Sequence, residues 1–283
     1  MEKVASLRYG VIFKKAFCVP EIFSAFVSDF IGKEIRISKV ETEKTFDPPV
    51  GRIDSRFDLY AEDEENRIIV DVQHVRHGDH YHRFLHYHCA ALLEQAASSR
   101  DYSPGLEVFT IVVLTSGERH KKDVCVTDFD PKDMGGNPLG EIPHRIFYVC
   151  PKYVTDATPE PYREWLAAIH DTMDEEVDET RYRRAEIRDI FRHIRKDTIS
   201  PRERAVMKDE YSFQRLFDEK YEKGVEKGIR KGRKEGQEEG RKEEQEKIAV
   251  RLLGMGTFSE DEISEVTGLS PDGIRKLGSG KEG

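Results

Sequence analysis

Arg56-Phe-Asp-Leu-Tyr-Ala-Glu-Asp-Glu-Glu-Asn-Arg-Ile-Ile-Val-Asp-Val-Gln73 reads as strand, polar turn, strand. Two alternating runs flank the loop Asp63-Glu64-Glu65-Asn66. Folding the segment about that loop sets Ala61 against Ile68, Leu59 against Val70 and Phe57 against Val72, one continuous apolar face. The other face sets Tyr60 against Ile69, Asp58 against Asp71 and Arg56 against Gln73. Burial selects this register, because a slip of one residue would turn the apolar face to solvent. Side chains directly opposite each other are roughly 5 Å apart. Two carboxylates at that spacing repel unless a proton or a cation lies between them. A divalent cation bound by oxygen, Mg²⁺ above all or Mn²⁺, suits such a pair. A solvated acidic hairpin face is the plain alternative.

Outward from the hairpin, helix and strand patterns alternate. Ile22, Phe23, Phe26, Val27, Phe30 and Ile31 recur at helical spacing between Pro20 and Gly32, residue types that open and close helices. Residues 36–46 alternate loosely as a strand, residues 80–99 suit a helix, and residues 106–115 read as a buried strand. Residues 123–129 and 145–150 suit shorter strands. That order predicts an α/β fold with a mixed central sheet. Beyond Pro159 the chain turns helical and charged. Trp165, Leu166 and Ile169 could dock one helix on the core, and Ile187, Ile190, Phe191 and Ile194 another.

A chain of 283 residues exceeds one typical domain. Hydrophobic residues make up 37% and charged residues 36%, with a net charge of −9, which argues against a broad basic surface but leaves room for a local basic groove. The four cysteines, Cys18, Cys89, Cys125 and Cys150, form neither a CxxC motif nor a disulfide framework. Reduced thiols in the cytoplasm are the expectation. No signal-peptide core and no membrane-length apolar run is present in the sequence.

Asp58, twelve intervening residues, then Asp71-Val72-Gln73 resembles the PD-(D/E)xK nuclease core. The chain is similar to the bacterial Rpn family, the PD-(D/E)xK nuclease family transposases. The resemblance extends to Phe13-Lys-Lys-Ala-Phe17 and the helix after it, and to Arg83-Phe-Leu-His-Tyr87 leading through Glu94-Gln95 and Tyr102 into the strand of residues 108–114. It ends in the Lys-Gly repeats of the tail and Thr267-Gly-Leu-Ser270. The general pattern closes in Lys where this chain has Gln73, a variation common in the family, and the family often carries Asp where this chain has Gly10.

The resemblance implies a restriction-endonuclease-like core, DNA as substrate and a recombination or transposase-like setting. The expected reaction is Mg²⁺-dependent phosphodiester hydrolysis by an endodeoxyribonuclease. Asp58 and Asp71 would hold the cation, and the resemblance implies that the Val72 carbonyl completes its sphere. Gln73 can neither carry charge nor take a proton, so its amide is assigned to positioning. Glu21 or Asp29 could add a third acid. Arg76 and Arg83 could contact phosphate, since guanidinium matches phosphate oxygens; surface ion pairing is the alternative for both. Two other classes remain open. One is a catalytically inactive nuclease fold that binds nucleic acid or protein. The other is a zinc protein, because His74, His77, His80, His82, His86 and His88 place six of ten histidines within fifteen residues.

Composition divides the chain into a nuclease-like core at 1–155, a helical extension at 156–218, a charged glycine-repeat segment at 219–247 and a small module at 248–283. Gly224, Gly228, Gly232, Gly236 and Gly240 recur every four residues. On a helix that spacing drifts by about 40° per step, giving a slowly winding stripe where a second backbone could approach. A solvated, partly helical linker is the alternative. Ser259-Glu-Asp-Glu262 is a capping box and Ser270-Pro271 a second helix start. Two short helices about Gly268 suggest a helix-turn-helix or an oligomerisation module, with Arg275 and Lys276 as thin provision for reading bases. Homo-oligomerisation through this tail is the expectation.

Overall fold

The computed structural model describes residues 1–46, 55–74, 80–95 and 104–279. They form two units, Met1–Arg215 and Leu216–Gly283. The chain opens with β1 (Glu2–Lys3), α1 (Gly10–Phe17), α2 (Pro20–Ile31) and β2 (Glu41–Thr45). The hairpin follows as β3 (Arg56–Glu62) and β4 (Asn66–Gln73), then α3 (His80–Leu93), β5 (Glu107–Leu114), β6 (Val124–Asp128) and β7 (Arg145–Val149). The remainder is α4 (Tyr162–Asp171), β8 (Glu176–Val177), α5 (Ala185–His193), α6 (Pro201–Met255), α7 (Glu260–Thr267) and α8 (Pro271–Ser279). No helix among the described residues is long and apolar enough to cross a membrane.

Six strands form one sheet in the order β2-β3-β4-β5-β7-β6. The hairpin and both edge pairings are antiparallel, while β4, β5 and β7 run parallel. The sheet is therefore mixed, as the order of elements predicts. Its central strands are buried on both faces, which explains why Ile68-Ile-Val70 and Val108 to Leu114 read as nearly continuous apolar runs. One face carries Leu59, Ala61, Ile68, Val70, Ile111 and Phe147 against Phe13, Phe17, Phe26, Trp165, Ile187 and Phe191. Helices α4 and α5 thus share one core with α1 and α2. The opposite face lies under α3, with Phe84 against Val112 and Tyr148, and Ala91 against Phe57, Tyr60 and Val108.

The strand expected over 36–46 begins only at Glu41. The preceding residues bond to α2 instead: Ile35 N–H donates to Ser28 Oγ and Ile37 N–H to Ser24 Oγ, both at 2.9 Å. Two serines on the helix take the donors that a strand would have used. The capping box at Ser259 forms as the sequence suggests. Residues 219–247, open between stripe and linker in sequence, lie within the continuous helix α6. In the second unit, Ala249, Ile263 and Ile274 bury together with Leu252, Leu253, Leu269 and Leu277 around them.

Three of the clustered histidines have separate surroundings. His88 is fully buried, its Nδ1 lies 2.9 Å from Thr110 Oγ1, and its ring stacks on Phe129. His74 Nδ1 lies 2.8 Å from Thr115 Oγ1, and His82 is exposed. His77 falls outside the described residues. Among the described residues no three His, Cys, Asp or Glu side chains group as metal ligands, so the zinc reading finds no cage there. Burial, and secondarily the neighbouring His144, pushes the His88 imidazole down to about 3.

The unfolded chain protonates such a ring below about 6.5, whereas the folded chain resists until about 3. Each proton taken up in that window favours unfolding. The His88 contribution is thus complete at neutral pH and is lost as pH falls, at roughly 1.4 kcal/mol per pH unit. Urea midpoints measured from pH 7 to pH 4 should fall less steeply for His88→Gln than for wild type. Parallel acid limbs would refute the assignment.

Candidate functional site

The β3–β4 register runs from Glu62↔Arg67 to Leu59↔Val70. At the next positions, Asp58 and Asp71 take over the ladder bonds with their side chains. Asp58 N–H donates to Asp71 Oδ1 at 3.1 Å, and Val72 N–H donates to Asp58 Oδ2 at 3.0 Å. The β2–β3 pairing is interrupted at the same level, between Thr42↔Leu59 and Lys44↔Phe57, where Glu43 adopts the left-handed φ of 56°. Strict alternation of side chains breaks here. Phe57 packs with Tyr60 and Ile69 on the α3 face, while Leu59 and Ala61 lie on the other. The expectation that Phe57 continues the Leu59–Ala61 face opposite Val72 is therefore corrected. A local irregularity of the bulge kind re-aims successive side chains, sending Asp58 toward α1 and Phe57 toward Tyr87.

The two acids sit in different fields. Burial pushes the Asp58 carboxyl up, opposed by the charge of Lys14 and the Val72 N–H. Burial, then the charge of Asp58, pushes Asp71 well above the usual carboxylate range. Asp71 is only 2% exposed. Its Oδ2 is buried and has no hydrogen-bond partner among the described residues. On a strand, the N–H and C=O of one residue point to the same edge, so the Val72 carbonyl faces the Asp58 side, where the ladder is open.

This donor set fits a divalent cation. An unsatisfied buried carboxylate oxygen is costly unless something positive meets it. Two carboxylates and a carbonyl are hard oxygen donors, and Mg²⁺ keeps several waters rather than demanding a full protein cage. Neither suggested third acid joins them. Glu21 is exposed on α2. Asp29 Oδ2 accepts from Trp165 Nε1 at 2.6 Å and pairs with Arg184 at 2.8 Å, so it anchors α4 to α2.

Lys14, on α1, went unassigned in the sequence. Its ammonium lies 3.5 Å from Asp58 Oδ1 and also pairs with Glu43. Burial would lower its pKa, but Glu43 and Asp58 outweigh that and raise it. The signal was the Phe13-Lys14 pair itself: with Phe13 fixed in the core, the neighbouring side chain is carried to the rim. From the other face, Arg83 Nη1 donates to Gln73 Oε1 at 3.4 Å. The Arg83 guanidinium lies over Phe84 and Tyr87, at 4.9 and 5.4 Å from the ring centres. Its Nε is buried with no partner among the described residues. Arg76, the other suggested phosphate contact, lies outside the described residues, as does Tyr102.

A family model described as PD-(D/E)XK nuclease family transposase matches residues 11–225. The match takes in α1 from its second residue on, the hairpin and α3, which are the elements that build this site. No curated protein and no solved structure matches the chain.

Replacing Asp71 by Asn keeps an oxygen to accept from Asp58 N–H and removes one of the two repelling charges. Asp71→Asn should therefore unfold at an equal or higher temperature than wild type in chelator-treated buffer. Each kcal/mol of relieved repulsion corresponds to roughly 2–4 °C for a unit of this size. A markedly lower melting temperature, followed by circular dichroism, would contradict the repulsion argument.

Proposed function

The chain belongs to the PD-(D/E)XK nuclease family transposases, and from that premise we propose that it is a divalent-cation-dependent DNA endonuclease hydrolysing phosphodiester bonds. The observation that carries this reading is the buried Asp71 Oδ2, without a hydrogen-bond partner among the described residues, beside Asp58 at the opened end of the hairpin. Asp58, Asp71 and the Val72 carbonyl would hold Mg²⁺ or Mn²⁺. When bound there, such a cation supplies Lewis-acid stabilisation of phosphoryl charge and a more acidic water.

The side chains around the pair have complementary tasks. Lys14 offsets the charge of Asp58 and so lets two acids stand close together in a buried place. Arg83 holds Gln73 through its amide oxygen, leaving the Gln73 NH₂ group to donate toward a phosphate oxygen. The unspent Arg83 Nε adds a second donor of fixed geometry. Aromatic rings beneath the guanidinium keep it oriented. The four thiols are unbridged, in keeping with a cytoplasmic setting.

Nicking of supercoiled plasmid in Mg²⁺ or Mn²⁺ tests this directly. Asp58→Ala and Asp71→Ala should abolish cleavage while the protein remains folded. Gln73→Lys should retain activity, and Gln73→Leu, which loses donor and acceptor, should lose most of it. Cleavage at the wild-type rate by either Asp variant overturns the site. Equal nicking by Gln73→Leu overturns the positioning role alone.

We also propose that residues 220–283 mediate self-association. A Cβ placed on Gly224, Gly228, Gly232, Gly236 or Gly240 would meet nothing within 4 Å, so the fold of a single chain does not demand these glycines. Each costs a helix about 1 kcal/mol against Ala, a cost that close approach of a second backbone would offset. The second unit also buries few apolar residues, which favours a partner. Truncation after Phe217 should lower the mass seen by light scattering and leave nicking detectable. An unchanged mass would reject the association role.

A further inference from the structure

Helix α1 carries Lys14 but does not cap itself. Its N-cap residue, Tyr9, makes no side-chain capping bond. The cap comes from α6, 200 residues later. Glu210 Oε2 accepts from Gly10 N–H at 2.8 Å, and Oε1 accepts from Val11 N–H at 3.3 Å. Those are two of the helix donors that would otherwise lack partners. A Cβ on Gly10 would lie 3.6 and 3.9 Å from the two carboxylate oxygens and 4.0 Å from Lys14 Nζ. A longer side chain at position 10 and the carboxylate of Glu210 would therefore compete for one volume beside the Lys14 ammonium. The absence of a side chain at Gly10 leaves that volume to α6.

The charges form a chain. Glu43 and Asp58 pair with Lys14, and Glu210 feels the fields of both Lys14 and Asp58. Next to Asp58, whose N–H it accepts, Asp71 keeps a buried Oδ2 without a hydrogen-bond partner among the described residues, and a gap at this pair is where a cation would enter. A cation entering that gap must compete with the Lys14 ammonium for Asp58 Oδ1. Acids on the far side of Lys14 ease that competition by giving the ammonium another place to rest.

We propose that Glu210 is a positioning residue of the cation site: it fixes the first turn of α1, and its charge draws Lys14 off Asp58 when a divalent cation binds. This rests on the cation-site reading above and places the acid that supports the site on α6. Partners of first-sphere ligands commonly change metal affinity by about 10- to 100-fold when removed, and Glu210 acts one step further out, through Lys14.

Calorimetric titration of Mn²⁺ into the full chain tests it without relying on cleavage. Glu210→Gln keeps an oxygen for the Gly10 N–H, removes the charge and gives up the acceptor at the longer Val11 N–H contact. It should bind Mn²⁺ about 10-fold more weakly, with little change in metal-free melting temperature. Glu210→Ala empties that volume; adding Gly10→Asp to it returns a carboxylate there and should restore most of the affinity. Wild-type affinity in Glu210→Gln overturns the proposal. A weakening that Gly10→Asp does not reverse also overturns it, leaving Glu210 as a cap alone. Asp71→Asn is the control for the site itself: if wild type shows no Mn²⁺ binding that Asp71→Asn abolishes, the cation site falls, and the role of Glu210 with it.

Discussion

Where the β3–β4 ladder opens, two carboxylates replace backbone carbonyls as hydrogen-bond acceptors. Asp71 accepts the N–H of Asp58, and Asp58 accepts the N–H of Val72. That exchange holds like charges together inside the fold, against both desolvation and mutual repulsion. Only a rigid surround can impose such an arrangement. The sheet provides it, because β4 is paired along its length with β5 on one side and with β3 up to the gap on the other. The apolar packing on both faces then keeps the strands from relaxing apart.

The sheet also works as a partition. Lys14 approaches the acid pair from the α1 side, and Arg83 approaches from the α3 side, where it meets Gln73. The irregularity at Asp58 makes this possible, since an evenly alternating strand would have sent both aspartates to one face. One acid can therefore be neutralised by an ammonium while the other keeps an oxygen unspent. The division of roles follows from geometry, since both residues are chemically the same. The two acids therefore differ: Asp58 pairs with an ammonium, and Asp71 keeps a buried oxygen with no hydrogen-bond partner among the described residues.

The extension after the sheet belongs to the same physical unit as the site. Trp165, Ile187 and Phe191 bury in the core that also holds Phe13 and Phe17. Asp29, read from sequence as a possible site acid, serves this junction through Trp165 and Arg184. The start of α6 bonds to the start of α1 through Glu210. The first unit accordingly runs to Arg215, well past the last strand of the central sheet.

Local pattern was enough to reveal the hairpin, its register from Leu59↔Val70 to Ala61↔Ile68, the closeness of Asp58 and Asp71, the mixed sheet and the capping box of α7. Each depends on short-range periodicity or on residues a few positions apart, which a sequence displays directly. The same pattern misplaced Phe57, because a break in alternation depends on neighbouring strands and leaves no mark in the strand's own residues. It also overextended β2, where serines on α2 compete for the backbone donors. Only the tertiary structure brought Lys14, Glu43 and Glu210 around Asp58 and dispersed His74, His82 and His88. These side chains come from helices and strands far apart in the chain. Their charges are ordinary in composition, and they acquire a role only through a separation in space that packing, not spacing along the sequence, determines.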